Sequence, residues 1–150
     1  MEKIINVADS LRDAPRPIYL VGNAHYEVSE ERHVLTATAL FPSDVPSIED
    51  RVRKHAIPHV NVGDAFFGVW NGIHIICDEK GYYGTLSSKG AYEALSPIPA
   101  DEDIELDILV KNIQRLEQNR FSVKVDFEAS YTLESRTLMR LHGQGYAIKK

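Results

Sequence analysis

Four polar residues in one stretch of the chain are of the types that carry out acid-base chemistry on a carbonyl. His59, Asn61 and Asp64 lie close together, and Asn71 follows further along. An imidazole or a carboxylate can take a proton from water, while an asparagine amide can hold a carbonyl or the attacking water. Asn61, Asp64, Gly68 and Asn71 are spaced by three, four and three residues, which aligns them along one stripe of a helix. We therefore predict His59, Asp64 and Asn71 as candidate catalytic residues.

The same stretch has the features of a helix N-terminus. Pro58 ends any preceding helix, Asn61 is a favoured N-cap, and Asp64 favours the positive end of the helix dipole. The N–H groups of a first turn lack intrahelical acceptors and can stabilise an oxyanion. The predicted substrate-binding residues are Asn61, Val62, Gly63 and Gly68. The alternative is that Asn61 and Asp64 are no more than a capping pair.

The segment 61–78 is predicted to be a helix that is buried on nearly all sides, because its apolar residues wrap around most of the helix. Asn71 lies in its middle, where an unpaired amide costs roughly 1–3 kcal/mol. Either the backbone of a neighbouring strand or a ligand must therefore satisfy this side chain. Gly68 and Gly72 each lower helix propensity by about 1 kcal/mol, which indicates a close approach of another element.

The remaining elements are predicted from hydrophobic periodicity and from proline and glycine. Residues 1–16 form an N-terminal helix (Lys3–Leu11) and a linker, and residues 42–58 form a loop with a helical turn at 48–54. Residues 78–100 are predicted as connecting structure. The predicted strands are Ile18–Val28, His33–Phe41, Ile104–Val110, Phe121–Tyr131 and Thr137–Ile148, the last with a bulge at Gly143 and Gly145.

These elements fit one architecture. At least five antiparallel strands have an apolar face to cover, and the helix at 61–78 is the only long apolar element available for it. We predict one α+β domain over residues 1–150, in which a curved antiparallel sheet wraps around a central buried helix. This arrangement is the hotdog fold.

Composition excludes several classes of protein. The chain has 150 residues with 17 Lys and Arg against 22 Asp and Glu, a formal charge of −5, which argues against a nucleic-acid partner. A single cysteine excludes a disulfide framework and a cysteine-based zinc site. The first residues lack the apolar run of a signal peptide, and no apolar segment is long enough to span a bilayer. We expect a soluble cytoplasmic protein with no metal site and no cofactor.

The residues also resemble a known family. Three features are similar to the FcoT-like fatty acyl-CoA thioesterases: the stretch Tyr19–Tyr26, the pattern His59-x-Asn61-x-x-Asp64 at the start of the helix, and Trp70-Asn71 within it. The resemblance implies a hotdog fold and hydrolysis of a long-chain acyl thioester of coenzyme A or acyl carrier protein. In that family a helix asparagine and tyrosines act.

Asn71 matches the family's asparagine when one residue is inserted between Gly63 and Gly68. The stretches 12–16 and 53–55, where the family has its tyrosines, contain none here. Two other functions stay open. His59 and Asp64 could serve a 3-hydroxyacyl-thioester dehydratase, and the protein could bind acyl chains without turnover. Hotdog subunits pair through edge strands, so we expect a homodimer or higher homo-oligomer.

Overall fold

The computed structural model describes residues 1–44, 60–116 and 119–150, with backbone alone at 85–88, 112 and 119–121. In chain order the elements are β1 (Glu2–Asn6), α1 (Val7–Ser10), β2 (Leu20–Ser29), β3 (Arg32–Leu40), α2 (Val62–Glu79), β4 (Tyr82–Ala94), β5 (Asp103–Leu116), β6 (Asn119–Leu133) and β7 (Arg136–Lys149). His59 and the helical turn predicted at 48–54 lie outside the described residues.

The strands form a single seven-stranded sheet in the order β1-β2-β3-β5-β6-β7-β4, and every neighbouring pair is antiparallel. Helix α2 packs against one face of this curled sheet. The fold is the predicted hotdog fold, with two strands beyond the five read from the sequence.

Both additional strands lie at edges of the sheet. The sequence predicted a helix at Lys3–Leu11, but Glu2–Asn6 is strand β1, paired with β2, and only Val7–Ser10 is helical. The second is β4, within the segment predicted as connecting structure. Its pairing with β7 shifts register twice, between Gly84 and Leu86 and between Ser87 and Lys89. The bulge predicted at Gly143 and Gly145 of the last strand is wrong, because both irregularities of this pairing place the extra residue in β4.

The core lies between α2 and the sheet. Ala65, Val69, Ile73 and Ile75 on the helix are fully buried, as are alternate residues of β5 and β6. Two glycines let the helix backbone approach the sheet. A Cβ at Gly68 would lie 2.4 Å from the hydroxyl of Tyr131, and one at Gly72 would lie 2.2 Å from Cδ1 of Ile108. The close approach predicted from the two glycines is confirmed.

Candidate active site

The N-terminus of α2 is capped as the sequence predicted. Asn61 has an extended backbone, and its Oδ1 accepts a hydrogen bond of 2.8 Å from the Asp64 amide. The Ala65 amide donates to the Asn61 carbonyl at 3.1 Å. The amides of Val62 and Gly63 come before these two bonds, in the turn where an α-helix offers its own N–H groups no acceptor. Gly63 is exposed and Val62 is half-buried, so this end of the helix reaches the surface.

Asp64 points into the protein and is held by a tyrosine. The Tyr19 hydroxyl donates to Asp64 Oδ1 at 2.6 Å, and both residues are buried. The Tyr19 ring packs at 4.7 Å from the ring of Phe41 and at 6.4 Å from that of Phe67, measured between centroids. A buried carboxylate is costly unless it is hydrogen-bonded, and the Tyr19 hydroxyl meets that requirement.

A second tyrosine supports the first turn from the sheet. The Tyr131 hydroxyl donates to the Ala65 carbonyl at 2.6 Å, and its ring contacts that of Phe41 at 5.7 Å. Burial raises the pKa of Tyr131 well above its ordinary value, and the nearby groups Tyr19 and Asp64 raise it further. Tyr131 therefore stays a neutral phenol and acts as a fixed donor.

Both halves of the Asn71 amide are bonded to main chain. Its Oδ1 accepts from the Tyr19 amide at 2.8 Å, and its Nδ2 donates to the Pro17 carbonyl at 3.3 Å. The sequence left open whether backbone groups or a ligand satisfy this side chain. In the structure its partners are backbone groups. Asn71 thereby fixes the segment that leads into β2 and sets the position of Tyr19.

The predicted stripe of α2 is thus one surface, and Tyr19 spans it. Tyr19 bonds Asp64 through its hydroxyl and Asn71 through its amide, while Gly68 lies between them against Tyr131 and Phe41. Gly68 is buried in this packing, whereas it was predicted to contact substrate. Its place against the sheet accounts for the glycine without a ligand.

An open groove borders the helix N-terminus. Its volume is about 460 Å³, and it lies between the start of α2, the end of β4 and the connection to β5. The lining residues are Val60, Asn61, Val62, Tyr92, Ala94, Leu95, Ser96, Pro97, Ile98 and Met139. Most of these side chains are apolar, and Tyr92 and Leu95 are about half exposed. The groove can accept an apolar chain beside the amides of the first turn.

Sequence reasoning did not single out Tyr19 or Tyr131 as part of the site. Tyr131 was placed correctly on the buried face of its strand, but nothing in the alternation of that strand indicates a partner on α2. Tyr19 was predicted inside a strand, whereas β2 begins after it, at Leu20. Among the described residues the structure brings together Asp64, Asn71 and Tyr19, and it places Asn61 and Val62 on the adjoining groove.

Comparison with known proteins supports the fold. No protein-family profile matches the chain, and no curated protein matches it by sequence. Among solved structures, yhdA from Lactococcus lactis, described as a candidate thioesterase, is similar with a TM-score of 0.57 at 11% identity over 85% of this chain and 91% of its own. The Streptococcus mutans UA159 protein smu.793, bound to acetyl-CoA, has a TM-score of 0.52 at 12% identity, covering 83% and 90% of the two chains.

An uncharacterised protein from Erwinia carotovora subsp. atroseptica has a TM-score of 0.51 at 11% identity, covering 90% of this chain and 98% of its own. At such identities these likenesses establish the shared fold. The chain has the hotdog fold, which these three proteins share. Within the described residues, no helix is both long enough and apolar enough to cross a membrane.

Proposed function

We propose that this protein hydrolyses a fatty acyl thioester of coenzyme A or of acyl carrier protein, with the thioester carbonyl held at the N-terminus of α2. The observation that carries the proposal is the first turn itself. Its outer side, at Asn61 and Val62, borders an apolar groove, and its inner side carries the buried carboxylate of Asp64. The thioesterase-named and acetyl-CoA-bound proteins that share the fold support the same chemistry.

The reaction uses groups from both the outer and the inner side of this turn. The amides of Val62 and Gly63 donate to the carbonyl oxygen and stabilise the negative charge that forms on it when water attacks. Asp64 takes the proton of that water. The tetrahedral intermediate then collapses, the carbon–sulfur bond breaks, and the thiolate leaves and is protonated, giving a carboxylic acid and a free thiol.

Three buried residues position this turn. Tyr19 fixes the Asp64 carboxylate, Tyr131 fixes the Ala65 carbonyl, and Asn71 fixes Tyr19. The catalytic role predicted for Asn71 stays a prediction, and the proposal does not depend on it, because both of its polar atoms already have main-chain partners. We place the acyl chain in the groove, because Gly68 and Gly72 bring α2 into direct contact with the sheet.

The proposal includes a second copy of the chain. Strand β4 is an edge of the sheet, and it carries the exposed Tyr83 and Tyr92, with Leu95 just beyond. Unpaired edges with apolar side chains invite pairing with another strand. A partner strand along β4 would cover these residues and close the groove from that side. A species of only 16.9 kDa in sedimentation at micromolar concentration contradicts this part of the proposal.

The test is release of free thiol from acetyl-, octanoyl- and palmitoyl-CoA and from a palmitoyl carrier protein, followed with a thiol reagent. Asp64→Asn keeps the size of the side chain and removes the base, so we expect kcat to fall by about 10²–10⁴-fold. Val62 is the first residue of the helix, a position where proline is tolerated. Val62→Pro removes one amide donor there, and we expect kcat to fall by about 10²-fold.

Two variants serve as controls. Asp78→Asn changes a carboxylate at the far end of the same helix, and Val62→Ala shortens the side chain while keeping the amide, so both should retain most activity. Full activity of Asp64→Asn rules out the proposed base. Hydration of an enoyl thioester without thiol release indicates the dehydratase, and acyl binding without either reaction indicates a binding protein.

A further inference from the structure

A mixed cluster of one imidazole and two carboxylates lies at the β1 edge of the sheet, far from the groove in the sheet order. Glu2 on β1 is the direct register partner of Glu27 on β2, and His25 lies two residues before Glu27 on the same strand. Ala24 and Tyr26 are buried, so the alternation of the strand places His25 and Glu27 on the face turned away from α2. One ligand atom from each of the three residues lies within 4.8 Å of the others.

The described residues give these two carboxylates no direct ion pair, and the nearby α-ammonium of Met1 donates to the Val28 carbonyl at 3.2 Å. Carboxylates directly opposite each other on paired strands repel, and the pairing of β1 with β2 would be stronger with a cation between them. In residues 1–44, 60–116 and 119–150, no ion pair involves Glu2 or Glu27. The neighbouring Lys3 is bonded to Glu79 of α2, at 2.9 Å.

We propose that Glu2, His25 and Glu27 bind a divalent transition-metal ion of the Zn²⁺ type, which fastens β1 to β2. An imidazole nitrogen with two carboxylate oxygens is a ligand set suited to zinc and its neighbours, whereas Mg²⁺ and Ca²⁺ take oxygen ligands. Three protein ligands leave a fourth position for water. The expectation of no metal site rested on local features of the sequence, which do not report neighbours across strands. This site is independent of the thioester chemistry.

The experiment is calorimetric titration of the full chain, without an affinity tag, with ZnCl₂ and separately with MgCl₂. We expect one Zn²⁺ per chain and weaker or no Mg²⁺ binding. Glu2→Gln, His25→Ala and Glu27→Gln should each weaken Zn²⁺ binding at least about tenfold. His142→Ala is the control, because His142 is a solvent-exposed histidine on another strand of this sheet, and it should leave the affinity unchanged.

A second measurement tests whether the ion stabilises the pairing of β1 with β2. Zn²⁺ should slow amide hydrogen exchange in β1, and this slowing should vanish in His25→Ala. Zn²⁺ binding that survives unchanged in His25→Ala overturns the proposal, as does equal loss in His142→Ala. No binding of Zn²⁺ by the unaltered chain, or a preference for Mg²⁺, overturns it as well.

Discussion

The close contact between α2 and the sheet at Gly68 predicts how far Gly68→Ala lowers the free energy of unfolding. The added Cβ would lie 2.4 Å from the Tyr131 hydroxyl, and the next nearest atoms, at 3.3 and 3.6 Å, belong to the ring of Phe41. Relieving the overlap requires the hydroxyl to move away from the Ala65 carbonyl. Overpacking costs about 1–3 kcal/mol, and an unsatisfied buried hydroxyl costs about 1–3 kcal/mol. The higher helix propensity of alanine offsets about 1 kcal/mol of this loss. We expect a net loss of about 1–5 kcal/mol.

The cause can be isolated with a double-mutant cycle. Tyr131→Phe removes the overlapping oxygen and one buried hydrogen bond, at a cost of about 1 kcal/mol. In that background Gly68→Ala meets only the Phe41 ring, so its effect on the free energy of unfolding should shrink to within about 1 kcal/mol of zero. The coupling energy between the two positions should therefore be about 2 kcal/mol or more. Urea denaturation gives the free energy of unfolding of all four proteins, and equal m-values show that the four values can be compared.

Gly72→Ala is the matched control, since the three atoms nearest its Cβ belong to Ile108 and Leu35, with Cδ1 of Ile108 at 2.2 Å. Tyr131→Phe should leave the cost of Gly72→Ala unchanged, whereas Ile108→Val, which removes Cδ1, should reduce it. If Gly68→Ala is equally destabilising with and without the Tyr131 hydroxyl, the described contact between α2 and β6 is not what requires glycine at this position.

Three further predictions concern buried groups. Asn71→Ala should lower the free energy of unfolding by about 2–4 kcal/mol, because it leaves the buried Tyr19 amide without its acceptor, and urea denaturation measures the loss. Burial lowers the pKa of both His33 and His74 in the native state, so their contribution to stability should be fully present above pH 6.5, the ordinary histidine value, and be lost below it as the unfolded chain takes up protons. Replacing both histidines with Asn should flatten this dependence between pH 7.5 and 5.5. Burial raises the pKa of Cys77 to about 12, so a thiol reagent should modify it only after unfolding, and fast modification of the native protein would contradict its described burial.

The central helix and the paired strands were predictable because their patterns are local. The predicted helix at 61–78 and the observed α2 at Val62–Glu79 differ by one residue at each end. Strands β2 and β3 and the alternating β6 were also predicted. In each, the apolar period alone shows which face is buried, and that face is the same whatever the strand pairs with.

The two edge strands were not predictable from local pattern. The spacing of Ile4 in β1 and Val7 just after it suited a helix, but backbone pairing with β2 makes Glu2–Asn6 a strand. In β4, glycines interrupt the apolar period because neighbours approach closely. A Cβ at Gly90 would lie 2.8 Å from the ring of Phe66. Such glycines weaken the strand signal in the sequence while meeting a requirement of the tertiary structure.

The candidate site was likewise predictable from the sequence only where its pattern is local. Helix periodicity predicted that Asp64 and Asn71 share a stripe, and the capping geometry of Asn61 followed from residue preference. The residue that bonds both, Tyr19, lies 45 positions from Asp64 in the chain, and no local pattern links them. Because Tyr19 covers the stripe from Asp64 to Asn71, the proposed chemistry is confined to the first turn of α2, at its amides and at the Asp64 carboxylate. The candidate site is thus the first turn of α2, and the stripe below it serves to hold that turn in place.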